Sequence, residues 1–359
     1  MKKIFLTGFP GFIGTRLVRE LFKGDENLEI VALVQQKFLH PAEASRAKLS
    51  EEMPGVSNRL RFVFGDITEP NLGIANSGQI SGEITGIFHL AAAYDLAIPR
   101  EIGMKVNVEG TRNVVEFAKS CKNLERLDYV STAYVSGYFK GVFSENDFDR
   151  GQRFKNFYEE TKFLAEKIVR DAKEIPSVVY RPGIVVGDST TGETAKYDGP
   201  YYVLQTMQSL PNNFPFPKIG RGDAEVNLVP IDFVVNAMAA LSVDKESIGG
   251  TFHLTDPSPL KVAELQNLFS KAIGKRFVGY PLAPTIAKAS LEIGFIRNIY
   301  KMPAQLVDYF VHEVHYDSSK TTEALQKHRL SCPKFVEYLP NMVKFFQTHR
   351  QEELQGILI

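Results

Sequence analysis

The sequence predicts an α/β fold, in which a doubly wound parallel sheet is accompanied by a smaller C-terminal region. Three observations support this class. Short β-type runs alternate with helix-type stretches through the first half of the chain, and a glycine-rich turn directly follows the first run. The alternation ends near residue 187, where prolines and glycines become frequent. Strands that are separated by helical stretches form parallel sheets, because a parallel pair needs a crossover connection.

The β-type runs are rich in Ile, Val, Leu, Phe and Tyr, as strands buried on both faces of a parallel sheet are. Between them, the clearest helix-type stretch is at residues 98–122, where Val106, Val114 and Phe117 can lie on one buried face. The runs cover residues 2–7, 28–34, 60–66, 85–91, 126–132 and 177–183.

The change of pattern near residue 187 divides the chain into two predicted domains. Residues 1–187 form the sheet domain, and residues 188–359 form the smaller region. We expect the two to be interleaved, because strand-like and helix-like segments return at about residues 226–255.

The charge, cysteine and histidine content argues against several classes of protein. The 42 Lys and Arg residues balance 42 Asp and Glu residues, so bulk charge does not draw the chain to nucleic acid or to an anionic membrane. Cys121 and Cys332 lie far apart, and the spacing of His312 and His315 differs from that of a zinc-protease helix, so no metal site is predicted. No stretch is long and apolar enough to span a bilayer, and we expect a cytoplasmic protein.

The turn after the first run reads TGFPGFIG and has the spacing of a dinucleotide-binding loop. Gly8 permits the tight turn, Gly11 lets the backbone approach a pyrophosphate, and Gly14 allows close packing of the following helix. An NAD-specific loop is followed about 20 residues later by an acidic residue. The chain has Gln35 and Lys37 there, which favours NADP and leaves NAD as the alternative.

A Tyr and a Lys lie four residues apart in FYEETKFLAEKIV, so a helix would place Tyr158 and Lys162 on one face. A nearby ammonium favours tyrosinate, so Lys162 is expected to lower the pKa of Tyr158 and make it a useful acid. Tyr316 and Lys320 have the same spacing. Good N-cap residues lie between them, however, and we expect Tyr316 to precede its helix.

The order of these segments resembles that of the extended short-chain dehydrogenase/reductase superfamily. Asp66 and Ile67 follow the third run, as the superfamily's adenine-contacting residues do. Ala91 and Ala92 in HLAAAYD resemble the residues beside the cofactor, and Asn107 in NVEGT resembles the one that supports the active site.

The resemblance also assigns the catalytic residues. Thr132 in YVSTAYVSG matches the hydroxyl that donates a hydrogen bond to the substrate oxygen, and Tyr158 matches the proton donor. Lys162 matches the partner of this tyrosine and the anchor of the ribose, and Asn107 completes the catalytic set. The cofactor-binding residues implied in this way are Thr7, Gly8, Gly11, Phe12, Ile13, Gly14, Gln35, Lys37, Asp66, Ile67, Ala91, Ala92, Tyr158, Lys162, Pro182, Gly183 and Ile184.

Within the superfamily, RPGIVVGDSTTG at residues 181–192 resembles the branch of thioester reductases and fatty acyl-CoA reductases. This resemblance implies NADPH-dependent reduction of a lipophilic acyl thioester, bound to CoA or to a carrier, or of the derived aldehyde. The smaller region then binds the substrate. The resemblance also allows a homodimer built from the helix at residues 100–120 and the Tyr158 helix.

Three alternatives stay open. The combination of Thr132, Tyr158 and Lys162 would also suit a dehydrogenase or reductase of a bulky hydrophobic alcohol or ketone, of a steroid or dihydroflavonol type. A sugar-nucleotide epimerase or dehydratase is less favoured, because Ile184 and Val186 replace the polar Asn and Tyr of those enzymes. An NADP sensor without chemistry is disfavoured by the presence of all three reactive side chains.

Overall fold

A computed structural model describes residues 2–300 and 302–349, which are built around a seven-stranded parallel sheet. All six predicted runs contain strands of this sheet, and the predicted fold class is confirmed. In chain order the strands are β1 (Lys3–Thr7), β2 (Glu29–Val34), β3 (Leu60–Phe64), β4 (Gly86–His89), β5 (Arg126–Val130), β6 (Gly141–Phe143), β7 (Ser177–Pro182), β8 (Ile184–Val186), β9 (Phe214–Ile219), β10 (Glu225–Val226), β11 (Leu228–Pro230), β12 (Thr251–Leu254), β13 (Leu260–Lys261), β14 (Phe277–Leu282) and β15 (Val314–Tyr316).

The order of the main sheet is β12, β7, β5, β4, β1, β2, β3. Strand β1 therefore lies between β4 and β2, where the direction of winding reverses. In open α/β sheets, ligands bind outside the carboxyl ends of the strands at this switch point. The glycine-rich turn that follows β1 lies there.

Both faces of the sheet are covered, which explains why its strands are predominantly apolar. Successive side chains of a strand point to opposite faces. On β1, Phe5 packs with Val31 in one apolar cluster, whereas Leu6 packs with Ala32 in another. Helices on each face complete the two clusters.

The helices are also described here in chain order. They are α1 (Phe12–Gly24), α2 (Leu39–Glu52), α3 (Val56–Arg59), α4 (Ser77–Glu83), α5 (Arg100–Gly103), α6 (Gly110–Ser120), α7 (Phe157–Asp171), α8 (Pro200–Ser209), α9 (Ile231–Val243), α10 (Val262–Ala272), α11 (Pro284–Glu292), α12 (Gly294–Tyr300), α13 (Ser319–Gln326) and α14 (Phe335–His349).

The helix predicted at residues 98–122 is present but not regular. Helices α5 and α6 are joined by a π-helical segment, Met104–Glu109, and short 3-10 turns occur elsewhere, as at Ala133–Ser136 and Ala304–Tyr309. π-Helical turns are rare and often lie at functional sites. This one contains Asn107, a predicted site residue.

Residues beyond 187 contribute to several parts of the molecule. One part is a separate apolar cluster in which α8, α10 and α14 take part, together with residues of the two-stranded sheets β11-β8 and β14-β9. Strand β15 pairs with β6 and contributes to another apolar cluster. Strand β12, however, pairs with β7 at the edge of the main sheet, and α9 packs in the cluster of α1. A division into domains at residue 187 stays a prediction.

The described part of the chain offers neither a membrane-spanning helix nor a cluster of metal ligands. Across residues 2–300 and 302–349, no helix combines the length and apolarity needed to cross a membrane. The same residues contain no group of three or more His, Cys, Asp or Glu side chains placed to hold a metal ion.

Candidate active site

A cavity of about 500 Å³ opens at the carboxyl ends of the central strands. Its wall combines the glycine-rich turn after β1, the ends of β4, β5 and β7, and the start of α7. Residues 193–199 and the Ala304–Tyr309 turn complete it from the smaller region. The cavity therefore joins the predicted cofactor loop to the predicted catalytic residues.

The glycine-rich turn is packed too closely for side chains at two of its glycines. Gly8 has a φ of +92°, and a Cβ on Gly14 would lie 2.4 Å from the carbonyl oxygen of Gly8. Helix α1 begins after Gly11 without a side-chain cap, so its first N–H groups are available to a ligand. The buried hydroxyl of Thr15, which lines the cavity, has no hydrogen-bond partner among the described residues. These features fit a bound phosphate at the start of α1.

Thr7 supports this turn from below rather than lining the cavity. Its hydroxyl oxygen accepts hydrogen bonds from the backbone N–H groups of Leu90 and Ala91, so its proton is directed to Nδ1 of His89, 2.8 Å away. Nε2 of His89 lies 3.0 Å from the hydroxyl of Thr111. Burial lowers the pKa of His89 to about 3, and this histidine is a neutral structural bridge.

Thr132 and Tyr158 face the same cavity from different elements. Thr132 follows β5, and its hydroxyl oxygen accepts a hydrogen bond from the backbone N–H of Tyr134, which leaves its proton free to donate. Tyr158 lies in the first turn of α7, and the ring of Tyr94 meets it edge-on at 5.1 Å. Burial raises the pKa of Tyr158, and the neighbouring Thr132 hydroxyl offsets this only in part.

The predicted effect of Lys162 on Tyr158 is not found. The ammonium of Lys162 donates to the hydroxyl of Tyr129 and to the carbonyl oxygen of Val130, each at 2.8 Å. Burial lowers the pKa of Lys162 to about 7, with Glu166 opposing the shift. The pKa of Tyr158 is therefore raised rather than lowered, because desolvation dominates and the ammonium of Lys162 is directed to other groups.

A buried ionic network lies behind the catalytic residues and was not foreseen from the sequence. Glu166, one helical turn after Lys162, accepts hydrogen bonds from Ser131 at 2.6 Å and from Arg181 at 2.7 Å. Both Glu166 and Arg181 are fully buried, and the pKa of Glu166 is lowered to about 2 by Arg181 and Arg170 against the effect of burial. The network ties α7 to β5 and β7.

Asn107 braces the loop that follows β4. Its Oδ1 accepts from the backbone N–H of Ala93 at 2.7 Å, and its Nδ2 donates to the carbonyl oxygen of Ala93 and to the hydroxyl of Thr161. Asn107 does not line the cavity. Its contacts join the π-helical segment to the loop and to α7.

The other predicted cofactor residues divide into two groups. The cavity is lined by Gly8, Gly11, Phe12, Ile13, Gly14, Ala92, Pro182, Gly183 and Ile184. Those outside its lining are Gln35, Lys37, Asp66, Ile67 and Ala91. The ammonium of Lys37 lies over the ring of Phe38, at 4.9 Å from its centre. In the second Tyr-Lys pair, Tyr316 ends β15 and Lys320 lies in α13, so Tyr316 precedes the helix as predicted.

Three cations of the cavity wall were missed: Arg16 and Arg19 on α1, and Lys48 on α2. The available signal was the spacing of Arg16 and Arg19, which places two cations on one face of the helix that follows the glycines. The position of Lys48 depends on how α2 packs, and the sequence carried no signal for it.

Comparison with known proteins identifies the family of the chain. A family model described as male sterility protein, an NAD-binding family, matches residues 6–238. The nonribosomal peptide synthetase asaC of Aspergillus flavus is 27% identical over 316 residues, which are 81% of this chain and 29% of that protein. The fatty acyl-CoA reductase wat of Drosophila melanogaster is 26% identical over 280 residues, 68% of this chain and 54% of that protein. The chain thus spans little more than half of these relatives at most.

Solved structures give the same result for the fold. The terminal R domain of the myxalamid biosynthetic pathway has a TM-score of 0.82 and 26% identity, covering 99% of this chain and 92% of that one. The reductase domain of a Mycobacterium tuberculosis nonribosomal peptide synthetase has a TM-score of 0.74 and 20% identity, with the same two coverages. A UDP-glucuronic acid 4-epimerase from Bacillus cereus, solved with NAD, has a TM-score of 0.68 and 19% identity over 96% of this chain and 99% of that one, which shows a shared fold alone.

The family match covers more than half of the chain, and the family prediction is confirmed. The chain belongs to the male sterility family of NAD-binding domains, in the extended short-chain dehydrogenase/reductase superfamily.

Proposed function

We propose that the protein is an NADPH-dependent reductase of a lipophilic acyl thioester or aldehyde, with Tyr158 as the proton donor. One observation carries this proposal: Thr132, Tyr158 and Lys162 line the same cavity as the glycine-rich turn. A nucleotide held at the turn would place its reactive end within the same space as these three side chains.

When bound at the glycine-rich turn, NADPH would supply a hydride for the carbonyl carbon of the substrate. Thr132 donates a hydrogen bond to the carbonyl oxygen, and Tyr158 transfers its phenolic proton to that oxygen as negative charge develops. The raised pKa of Tyr158 keeps its phenol protonated at neutral pH, so the proton is present for this transfer. Lys162, held by Tyr129 and Val130, would anchor the ribose from its position on α7. For a thioester, these transfers give a hemithioacetal. Its C–S bond then breaks while its hydroxyl proton passes to the sulfur, so the thiol leaves and the aldehyde is released.

The walls of the cavity support an apolar substrate. Leu90, Leu96, Val130 and Leu306 line it together with aromatic rings such as that of Tyr309. A lipophilic acyl chain is the class of ligand that such a wall binds well. The names of the relatives extend the proposal to an acyl group presented as a thioester of CoA or of a carrier domain.

Preference for NADPH is proposed on the charge of the cavity wall. Arg16, Arg19 and Lys48 are cations that line the cavity, whereas Lys37 packs over Phe38 outside it. A 2′-phosphate is held best by guanidinium and ammonium groups. We therefore propose that the cations of α1 and α2, rather than Lys37, bind the 2′-phosphate of NADPH.

The test is a binding titration with NADPH and NADH, followed by an assay of NADPH oxidation with acyl-CoAs, long-chain aldehydes and bulky ketones. We expect NADPH to bind more tightly and to be oxidised with thioester or aldehyde. Tyr158→Phe should bind NADPH normally and lose turnover, while Tyr138→Phe, which removes a hydroxyl outside the cavity, should retain it. Turnover of ketones alone would support the alternative class, and normal turnover by Tyr158→Phe would refute the assignment of the proton donor.

A further inference from the structure

Three charged side chains from distant parts of the chain meet at the exposed edge of the cavity. The carboxylate of Glu193 lies 3.0 Å from the guanidinium of Arg16 on α1 and 3.7 Å from the ammonium of Lys48 on α2. All three residues line the cavity. A carboxylate from the smaller region thus bridges two cations that belong to different helices of the sheet domain.

The base of the loop that carries Glu193 is firmly attached. Ser189 donates two hydrogen bonds to Asp232 on α9 and accepts one from Asn341 on α14. A Cβ on Gly192 would lie 2.2 Å from the backbone carbonyl oxygen of Asn341, which shows how closely this loop packs on α14. The position of Glu193 is therefore set by the fold, and its side chain is presented to Arg16 and Lys48.

The ion pairs that Glu193 forms with Arg16 and Lys48 are weak. The side chain of Glu193 is 45% exposed and that of Lys48 is 64% exposed, so water and salt screen their attraction. Arg16 is better buried, at 14% exposure, and keeps its contact with the ring of Phe12. An anion with more charge than a carboxylate, presented from inside the cavity, would compete well for both cations.

We infer that Glu193 is a selectivity residue for the cofactor, because its carboxylate holds the cations that receive the 2′-phosphate of NADPH. This inference rests on the proposed function, in which the cavity binds a dinucleotide. Binding of NADPH then requires that Glu193 release Arg16 and Lys48, and the remaining carboxylate repels the phosphate. Binding of NADH, which lacks the 2′-phosphate, does not require the release of these two cations. Glu193 therefore lowers the affinity for NADPH more than the affinity for NADH.

The experiment measures dissociation constants of NADPH and NADH for the full chain by cofactor fluorescence, at low and high salt. In Glu193→Gln we expect NADPH to bind about threefold to fivefold more tightly, a factor suited to an exposed ion pair. The affinity for NADH should change less than about twofold, and the gain for NADPH should shrink at high salt. Glu43→Gln is the matched control, since Glu43 lies on α2 and pairs with Arg46, away from the cavity lining.

The outcomes separate the inference from the function on which it rests. An unchanged ratio of NADPH to NADH affinity in Glu193→Gln, with normal binding by the wild-type protein, overturns the inference alone. Weaker NADPH binding in this variant also overturns the inference, because Glu193 would then stabilise the complex with NADPH rather than oppose it. If the wild-type protein binds neither nucleotide, the proposed function and the inference fall together.

Discussion

Replacing Lys162 by methionine should stabilise the protein at neutral pH. Burial lowers the pKa of Lys162 from 10.5 to about 7, so the folded state binds this proton much less readily than the unfolded state does. Because the pKa of Lys162 is lower in the folded state than in the unfolded state, the protonated lysine destabilises the folded state. This destabilisation is fully present below pH 7 and disappears as the pH rises from about 7 to 10.5. The shift corresponds to roughly 4 kcal/mol at pH 7.

Two hydrogen bonds oppose this gain. The methionine cannot donate to Tyr129 or to the carbonyl oxygen of Val130, and each lost bond costs about 1 kcal/mol. The relief of the buried charge is the larger effect. We therefore expect Lys162→Met to be about 2 kcal/mol more stable than the wild-type protein at pH 7, and less stable than it near pH 10.

Urea unfolding at the two pH values measures this difference. Lys167→Met is the control, since Lys167 lies on the same helix, is 51% exposed and pairs with Asp171. The control should show little change at either pH. If wild type and Lys162→Met have the same dependence of stability on pH between 7 and 10, the reasoning on the buried ammonium is wrong.

Two other predictions test the cofactor loop and the buried network. Gly14→Ala should weaken NADPH binding at least tenfold in a fluorescence titration. The new Cβ would lie 2.4 Å from the carbonyl oxygen of Gly8, so the turn must move. Unchanged affinity would argue against phosphate binding at this turn. Glu166→Gln should lower the free energy of unfolding by about 3 kcal/mol, since it leaves the buried Arg181 without a counter-charge. The pKa of Glu166 is lowered from 4.5 to about 2, so the free energy of unfolding of the wild-type protein should fall as the pH drops through that range. It should fall more steeply than that of the variant, and an equal dependence on pH in the two proteins would contradict this prediction.

Most of the fold could be predicted because its signals are local. The strands of the main sheet from β1 to β7 lie in predominantly apolar runs, which is the pattern typical of a parallel sheet that is buried on both faces. The glycine spacing and the order of Thr132, Tyr158 and Lys162 likewise predicted a common location for these groups. The cavity lining agrees with that expectation, while their catalytic roles stay predictions.

The rest depended on contacts between distant segments. Arg16 and Glu193 lie 177 residues apart, and no periodicity or spacing links them. The ammonium of Lys162, on α7, donates to Tyr129 on β5, and burial raises the pKa of Tyr158 where the sequence predicted that Lys162 would lower it. The burial that governs these charges is a property of packing, which one sequence does not display.

The late position of β12 has a consequence for synthesis of the protein. Its partner β7 ends at Pro182, while β12 begins at Thr251, so β7 leaves the ribosome long before its neighbour exists. Until then the backbone groups along one edge of an apolar strand are unpaired, and such edges promote aggregation. A truncated chain that ends at residue 187 would keep this exposed edge permanently. Folding of the main sheet is thus completed only by β12, which is separated from β7 by residues 183–250.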